Sequence, residues 1–236
     1  MIRTTQAGLL KLAALALAVA GALPAAQAST VSGGSSVLTF SDTAINTLSL
    51  ISVGVSASGT ASTVTPGKSF SFPVTIGSFD ASDALSSLNT EAAAGVTLTK
   101  GSTTITLSDF RIDVASKTLF GDVTIGGSTT NNAAIYSINS LTESIVDPTH
   151  RTLNASGLFL TPTAVTTLGN ALGVPPFLQG VVGTVDFGTL NNDITLAAAP
   201  VPEPETFVLM GAGLLGLGLK LRRRAPKATA QPALAA

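Results

Sequence analysis

Few residues in this chain have the chemistry of catalysis or ligation, and their spacing limits what each could do. There is one histidine, His150, in the run Asp147-Pro148-Thr149-His150-Arg151, and one tyrosine, Tyr136. Nucleophilic hydrolysis needs a serine or cysteine beside a base. The chain has no cysteine and no serine in a G-x-S-x-G pattern, so His150 reads as a polar turn residue rather than a general base. Asp109 and Asp113 fall four apart on one expected strand. They face the same side but sit roughly 13 Å apart, too far for a carboxylate pair in one site. Asp80 and Asp83 offer oxygen to a hard cation but lack the dense ligand spacing of a calcium loop, so turn and cap roles are expected of them. No phosphate loop or zinc pattern is present, and the sequon Asn154-Ala155-Ser156 reads as incidental. The residues thus point to a protein without catalysis, with no catalytic residue and no metal site.

The elements that must position these residues read as strands. Phe70, Phe72, Val74 and Ile76 alternate, with Pro73 suggesting a sheet edge; Phe110, Ile112 and Val114 alternate again, shifted in phase at Ser108-Asp109. Val96 to Leu98 and Ile105 to Leu107 form a hairpin around Lys100-Gly101-Ser102. Leu119 to Ile125, Ala134 to Leu141 and Leu153 to Leu160 are further strands. Leu48 to Val55 also reads as a strand, as do Val181 to Phe187 and Ile194 to Ala198. Residues 29–36 read as a flexible start, 56–67 as a turn region, and Ser82 to Ala94 as a short helix ended by Gly95. Thr161-Pro162 caps a helix carrying Val165, Leu168 and Leu172 at helical spacing. The expected fold is all-β, a sandwich or barrel of short antiparallel strands with one short helix at about 162–172. A helical signal before it and a transmembrane helix after it complete the expectation.

Charge is unevenly placed. Seven of the twelve basic residues lie outside residues 29–199, which keep five basic residues against eleven acidic ones, a net of −6. An acidic body argues against nucleic acid as a partner. Without cysteine the chain needs no disulfide in an oxidising compartment and offers no thiolate ligand. About 170 residues make one domain with a core of its own.

The two ends carry addresses. Arg3 and Lys11 precede Leu12 to Leu23, built only from alanine, leucine, valine and glycine, and the run closes on Ala26-Gln27-Ala28. That is a signal peptide of residues 1–28, its A-x-A site at Ala26 and Ala28 fitting the small-residue pocket of signal peptidase. The far end reads Val201-Pro202-Glu203-Pro204-Glu205, an apolar run from Thr206 to Leu219, then Lys220 and Arg222, Arg223 and Arg224. Fourteen helical residues span about 21 Å, a marginal fit to a hydrocarbon core of about 30 Å. The arginines act as a positive-inside stop and leave everything before residue 201 outside the cytoplasm. This composite resembles the PEP-CTERM sorting domain of Gram-negative bacteria. The resemblance implies recognition by an exosortase, a membrane cysteine protease that cuts near Pro202-Glu203-Pro204. It divides the chain into residues 1–28, a body 29–199, a sorting and anchor segment 200–224, and an Ala/Pro-rich disordered tail 225–236.

The body has a resemblance of its own. Gly95 to Asp113, and Leu160 to Phe177 followed by Gly180 and Gly183, are similar to parts of the HtaA domain, a family that includes bacterial haem-transport proteins. The likeness spans about residues 36–190. In haem-binding members a tyrosine ligates the iron and a histidine supports it, which nominates Tyr136 and His150 here. Residues 36–60 hold no tyrosine or tryptophan. Without the family, Tyr136 reads as a strand residue with its hydroxyl at the surface. The sequence therefore leads to an exported surface or matrix protein with no cofactor, whose partners are signal peptidase, exosortase, transiently the inner membrane, and exopolysaccharide. An HtaA-like haem or small-ligand module is the rival reading.

Overall fold

The computed structural model describes residues 29–198 and the short helical stretch 211–214. The expected signal helix with Ala26 and Ala28, the motif Val201-Pro202-Glu203-Pro204 and the stop Arg222, Arg223 and Arg224 lie outside the described residues. No described helix is long and apolar enough to cross a membrane.

The body is an eight-stranded antiparallel barrel with extra strands. Its elements are β1 (Val31–Phe40), α1 (Asp42–Leu50), β2 (Gly54–Ser58), β3 (Ser62–Thr65), β4 (Ser69–Phe79), β5 (Leu85–Thr90) and β6 (Gly95–Lys100). There follow β7 (Thr103–Asp113), β8 (Thr118–Ile125), β9 (Ser128–Asp147), β10 (His150–Leu160), α2 (Pro162–Ala171), α3 (Pro176–Val182) and β11 (Gly188–Leu196). The ring runs β7-β5-β4-β1-β11-β10-β9-β8 and closes through the β7–β8 ladder. Strand β7 serves two neighbours on one side. Thr103–Ser108 pairs with β6, whereas Arg111–Asp113 pairs with β5. The switch occurs at Asp109, whose φ of 50° lies in the left-handed region. There the Thr90 hydroxyl takes the Phe110 N–H at 3.1 Å and donates to its carbonyl at 3.3 Å. Strand β2 extends the sheet beyond β6, and β3 lies on β4.

Inward-facing residues fill the ring. Phe70, Ile105, Ile135, Leu158 and Ile194 are wholly buried. Phe72 meets Phe110 edge-on at 5.1 Å, and Phe40 meets Phe70 at 6.1 Å. The core belongs to residues Val31–Leu196, and the described residues 29–198 form one compact unit. Both of its ends lie together: Val31 pairs with Leu196, and the Ala197 N–H donates to the Thr30 carbonyl at 2.8 Å.

Four expectations are corrected. Residues 31–36 are strand, because β1 is hydrogen-bonded along β11 from residue 31 and along β4 from residue 35, whatever their glycine and serine content. Gly34 is required there: at φ 147° an added Cβ would fall 2.1 Å from the Asp193 carbonyl oxygen. Residues 48–50 end a helix that begins at Asp42, with the Ser41 hydroxyl accepting the Ala44 N–H at 3.0 Å and Ala44 and Leu48 buried one turn apart. The expected helix at 82–94 is β5; register shifts in the β4–β5 ladder put Leu85 and Leu88 both inside, which mimics helical spacing. Residues 181–187 are the end of α3 and a loop, so the expected single helix is one of three among the described residues 29–198; α2 itself lies where expected, capped by Thr161.

Candidate functional site

The barrel has two differently built ends. At one end α1, α2 and α3 cover the mouth, enclosing an apolar cavity of about 40 Å³. That is space for about three waters, far below a porphyrin. Tyr136 forms part of its wall with Phe40, Leu48, Leu168, Leu172 and Phe187. A register shift against β8 leaves Ile135 as the extra residue of a bulge and turns Ile135 and Tyr136 both inward. Tyr136 is therefore buried, its ring 5.5 Å from that of Phe187, not a surface residue as the alternation implied. Burial pushes its phenol well above the usual range. Beside this cavity, Leu50, Phe177 and Val181 are exposed, each next in sequence to a residue packed on the core.

His150 lies at the other end. It starts β10 after an Asx turn in which Asp147 accepts the Thr149 N–H at 2.7 Å and hydroxyl at 2.8 Å. Its Nε2 stands 2.5 Å from Asp193 Oδ1 on neighbouring β11. Tyr136 pairs with Leu160, the last residue of the 11-residue strand that His150 begins. Ten residues of strand separate them by about 33 Å, so they share no site. The carboxylates are likewise structural. Asp80 takes the N–H groups of Ser82 at 2.8 Å and Ala84 at 3.0 Å. Asp113 takes the Ser116 N–H at 2.8 Å. Among the described residues no cluster of three or more histidines and carboxylates could hold a metal ion.

The group that sequence reasoning passed over is Arg151. It follows the inward register of Leu153 and Ala155 and is 5% exposed. It is covered yet close to the rim, so its surroundings are only partly dry. Its Nη1 donates to the Asp83 carbonyl at 2.5 Å and to Glu143 Oε1 at 3.0 Å, and its Nη2 to the Asp83 carboxylate. The guanidinium carbon lies 5.0 Å from the centre of the Phe79 ring. Glu143 Oε2 in turn accepts the Leu85 N–H at 3.0 Å. The cluster thus ties β9 and β10 to the β4–β5 turn, where Asp83 is held at φ 61°.

Residues 200–224 match the PEP-CTERM protein-sorting motif. The motif implies export, a membrane-anchored intermediate and processing by an exosortase, leading to surface display. The body resembles the crystal structure of the C-terminal domain of HtaA from Corynebacterium glutamicum, with a TM-score of 0.50 at 14% identity, over 72% of this chain and 99% of that one. A domain-swapped dimer variant of that domain gives a TM-score of 0.42 at 14% identity, over 84% of this chain and 98% of that one. At such identity the likeness concerns the fold alone. No curated protein matches the chain.

Proposed function

We propose that this chain is a non-catalytic envelope or matrix protein, freed of its signal after Ala28, anchored through residues 206–219 and cut near Pro202-Glu203-Pro204. The barrel is its structural or interaction module at the cell surface or in the exopolysaccharide. The sorting motif carries the reading. An acidic body with its interior occupied by side chains, and polar groups engaged in turns, fits a scaffold better than a reaction site. The test replaces Pro202, Glu203 and Pro204 with alanine in a host that has an exosortase. An unprocessed, membrane-retained form of the variant is expected on an immunoblot, beside a processed wild type. Equal maturation of the two would count against the reading.

The rival is an HtaA-like ligand module, favoured by the apolar cavity at Tyr136 and its exposed apolar surround. Haem needs an axial ligand and a porphyrin-sized slot. Titration of the protein with haemin is expected to give no saturable Soret shift. A shift saturating at one equivalent and lost in Tyr136→Phe would promote the ligand module instead.

A further inference from the structure

The arginine cluster carries an unbalanced charge. Two carboxylates, Asp83 and Glu143, face one guanidinium, Arg151. The Arg151 side chain is 6% exposed and that of Glu143 21%, whereas that of Asp83 is 50% exposed and leaves the surplus charge open at the rim, where a second cation can reach it. The residue that reaches the cluster from the chain's start is Ser29. Its hydroxyl lies 3.5 Å from Arg151 Nη2. The same Nη2 donates to the Asp83 carboxylate, so Ser29 and Asp83 meet at one guanidinium nitrogen, and Ser29 with Arg151 holds the Asp83 carboxyl below the usual carboxylate range. Ser29 is held there because the Ala197 N–H bonds to Thr30 and Val31 pairs with Leu196.

We infer that Asp83, Glu143 and Arg151 form a receiving site for a primary ammonium group, the one created on Ser29 when the signal is cut after Ala28. The inference rests on the proposed signal cleavage. Before the cut the Ser29 nitrogen is a neutral amide with one proton to donate. After it, the same atom carries a positive charge and three donors. Two negative and two positive charges then balance at the rim. Of the other charged groups at this end, Asp80 and Asp147 are each held in their own turn, and Asp193 pairs with His150. Processing thereby locks the first strand onto the barrel, and the uncut precursor lacks the lock.

The sign of the pH effect follows. An ammonium that gains a carboxylate partner has a raised pKa in the folded state. Its contribution is complete below the free amine's value of about 7.7–8.0 and is lost as pH rises through the raised value. The test uses the chain from Ser29 to its natural end, in detergent, released from a fusion so that Ser29 bears a free amine. Competitive acetylation of that amine across pH, read by mass spectrometry, gives its pKa. The Asp83 carboxylate is half exposed, so a shift of roughly half to one unit is expected, with labelling at pH 7 about three- to tenfold slower than in Asp83→Asn or in urea. Ser29→Gly keeps the amine and should keep the shift. An ordinary pKa, the same folded and in urea, would overturn the inference. Amino-terminal sequencing of the exported protein tests the cleavage separately, and a first residue other than Ser29 would refute that reading while leaving the amine measurement standing.

Discussion

Arg151→Met is expected to lower stability by about 3 kcal/mol, the low end of the range for removing one partner from a buried ion pair. The low end applies because Arg151 is covered but lies at the rim, where water can reach the carboxylates it leaves. The cost has three sources. Glu143 keeps the Leu85 N–H but loses its cation, Asp83 loses two guanidinium bonds, and the Phe79 ring loses the charge stacked on it. For a body of this size the melting temperature should fall by roughly 6–12 °C. Adding Glu143→Gln keeps an acceptor for Leu85 and removes the stranded charge, so the double variant should recover part of the loss. The pH dependence separates this from lost packing. Ser29 and Arg151 hold the Asp83 carboxyl below its ordinary value of 3.8. A depressed acid stabilises above its unfolded pKa and stops doing so as pH falls through the folded one. The gap between wild type and Arg151→Met should therefore narrow below about pH 4. A gap constant from pH 7 to pH 3 would mean that the arginine acts through its methylenes alone.

The sequence speaks clearly where one face of a strand is dry. Phe70 to Val74 and Leu119 to Val123 alternate because barrel closure gives each an inside and an outside, and α2 is marked by Thr161-Pro162. It misleads at ladder irregularities. Leu85 and Leu88 are three apart only because β5 shifts register, and Ile135 and Tyr136 are adjacent yet both buried because β9 bulges. Such shifts depend on partner strands far along the chain, which no local period contains. Composition misleads at β1, where long-range pairing orders a run rich in serine and glycine.

The sites were legible unevenly. The sorting motif is a linear signal, read from order and spacing alone. The separation of Tyr136 from His150 was hidden by the length of β9. Ile145 and Val146 both face solvent, so no alternation announces that the strand runs on to Asp147. Arg151 could have been found. Extending the alternation of Leu153 and Ala155 back by one pair places an arginine inside the barrel, and a charge there demands partners. Which carboxylates answer it depends on the β4–β5 turn, 68 residues away along the chain.

Phe72→Ala tests the other support of the fold, its filled interior. Phe72 is 1% exposed and packs edge-on against Phe110 at 5.1 Å. Removing a buried phenylalanine costs about 3–5 kcal/mol, through lost transfer energy and the cavity left behind. The position within that range depends on what can enter. Phe72 borders about 10 Å³ of internal space shared with Ser36 and Asn192. Ser36 Oγ and Asn192 Oδ1 are buried there without hydrogen-bond partners. Once the ring is gone the enlarged cavity has polar walls, so water can occupy it and bond to these atoms. That offsets part of the penalty, and the expected loss is about 3 kcal/mol, near the bottom of the range. In urea the midpoint should fall while the slope stays unchanged, since the surface exposed on unfolding is nearly the same. Ser36→Ala in the Phe72→Ala background removes one of the polar walls and should make the variant less stable. In wild type the same change removes an unpaired buried hydroxyl and should be neutral or slightly stabilising. A Ser36→Ala effect of the same sign and size in both backgrounds would show that the space left by Phe72 collapses instead of filling with water.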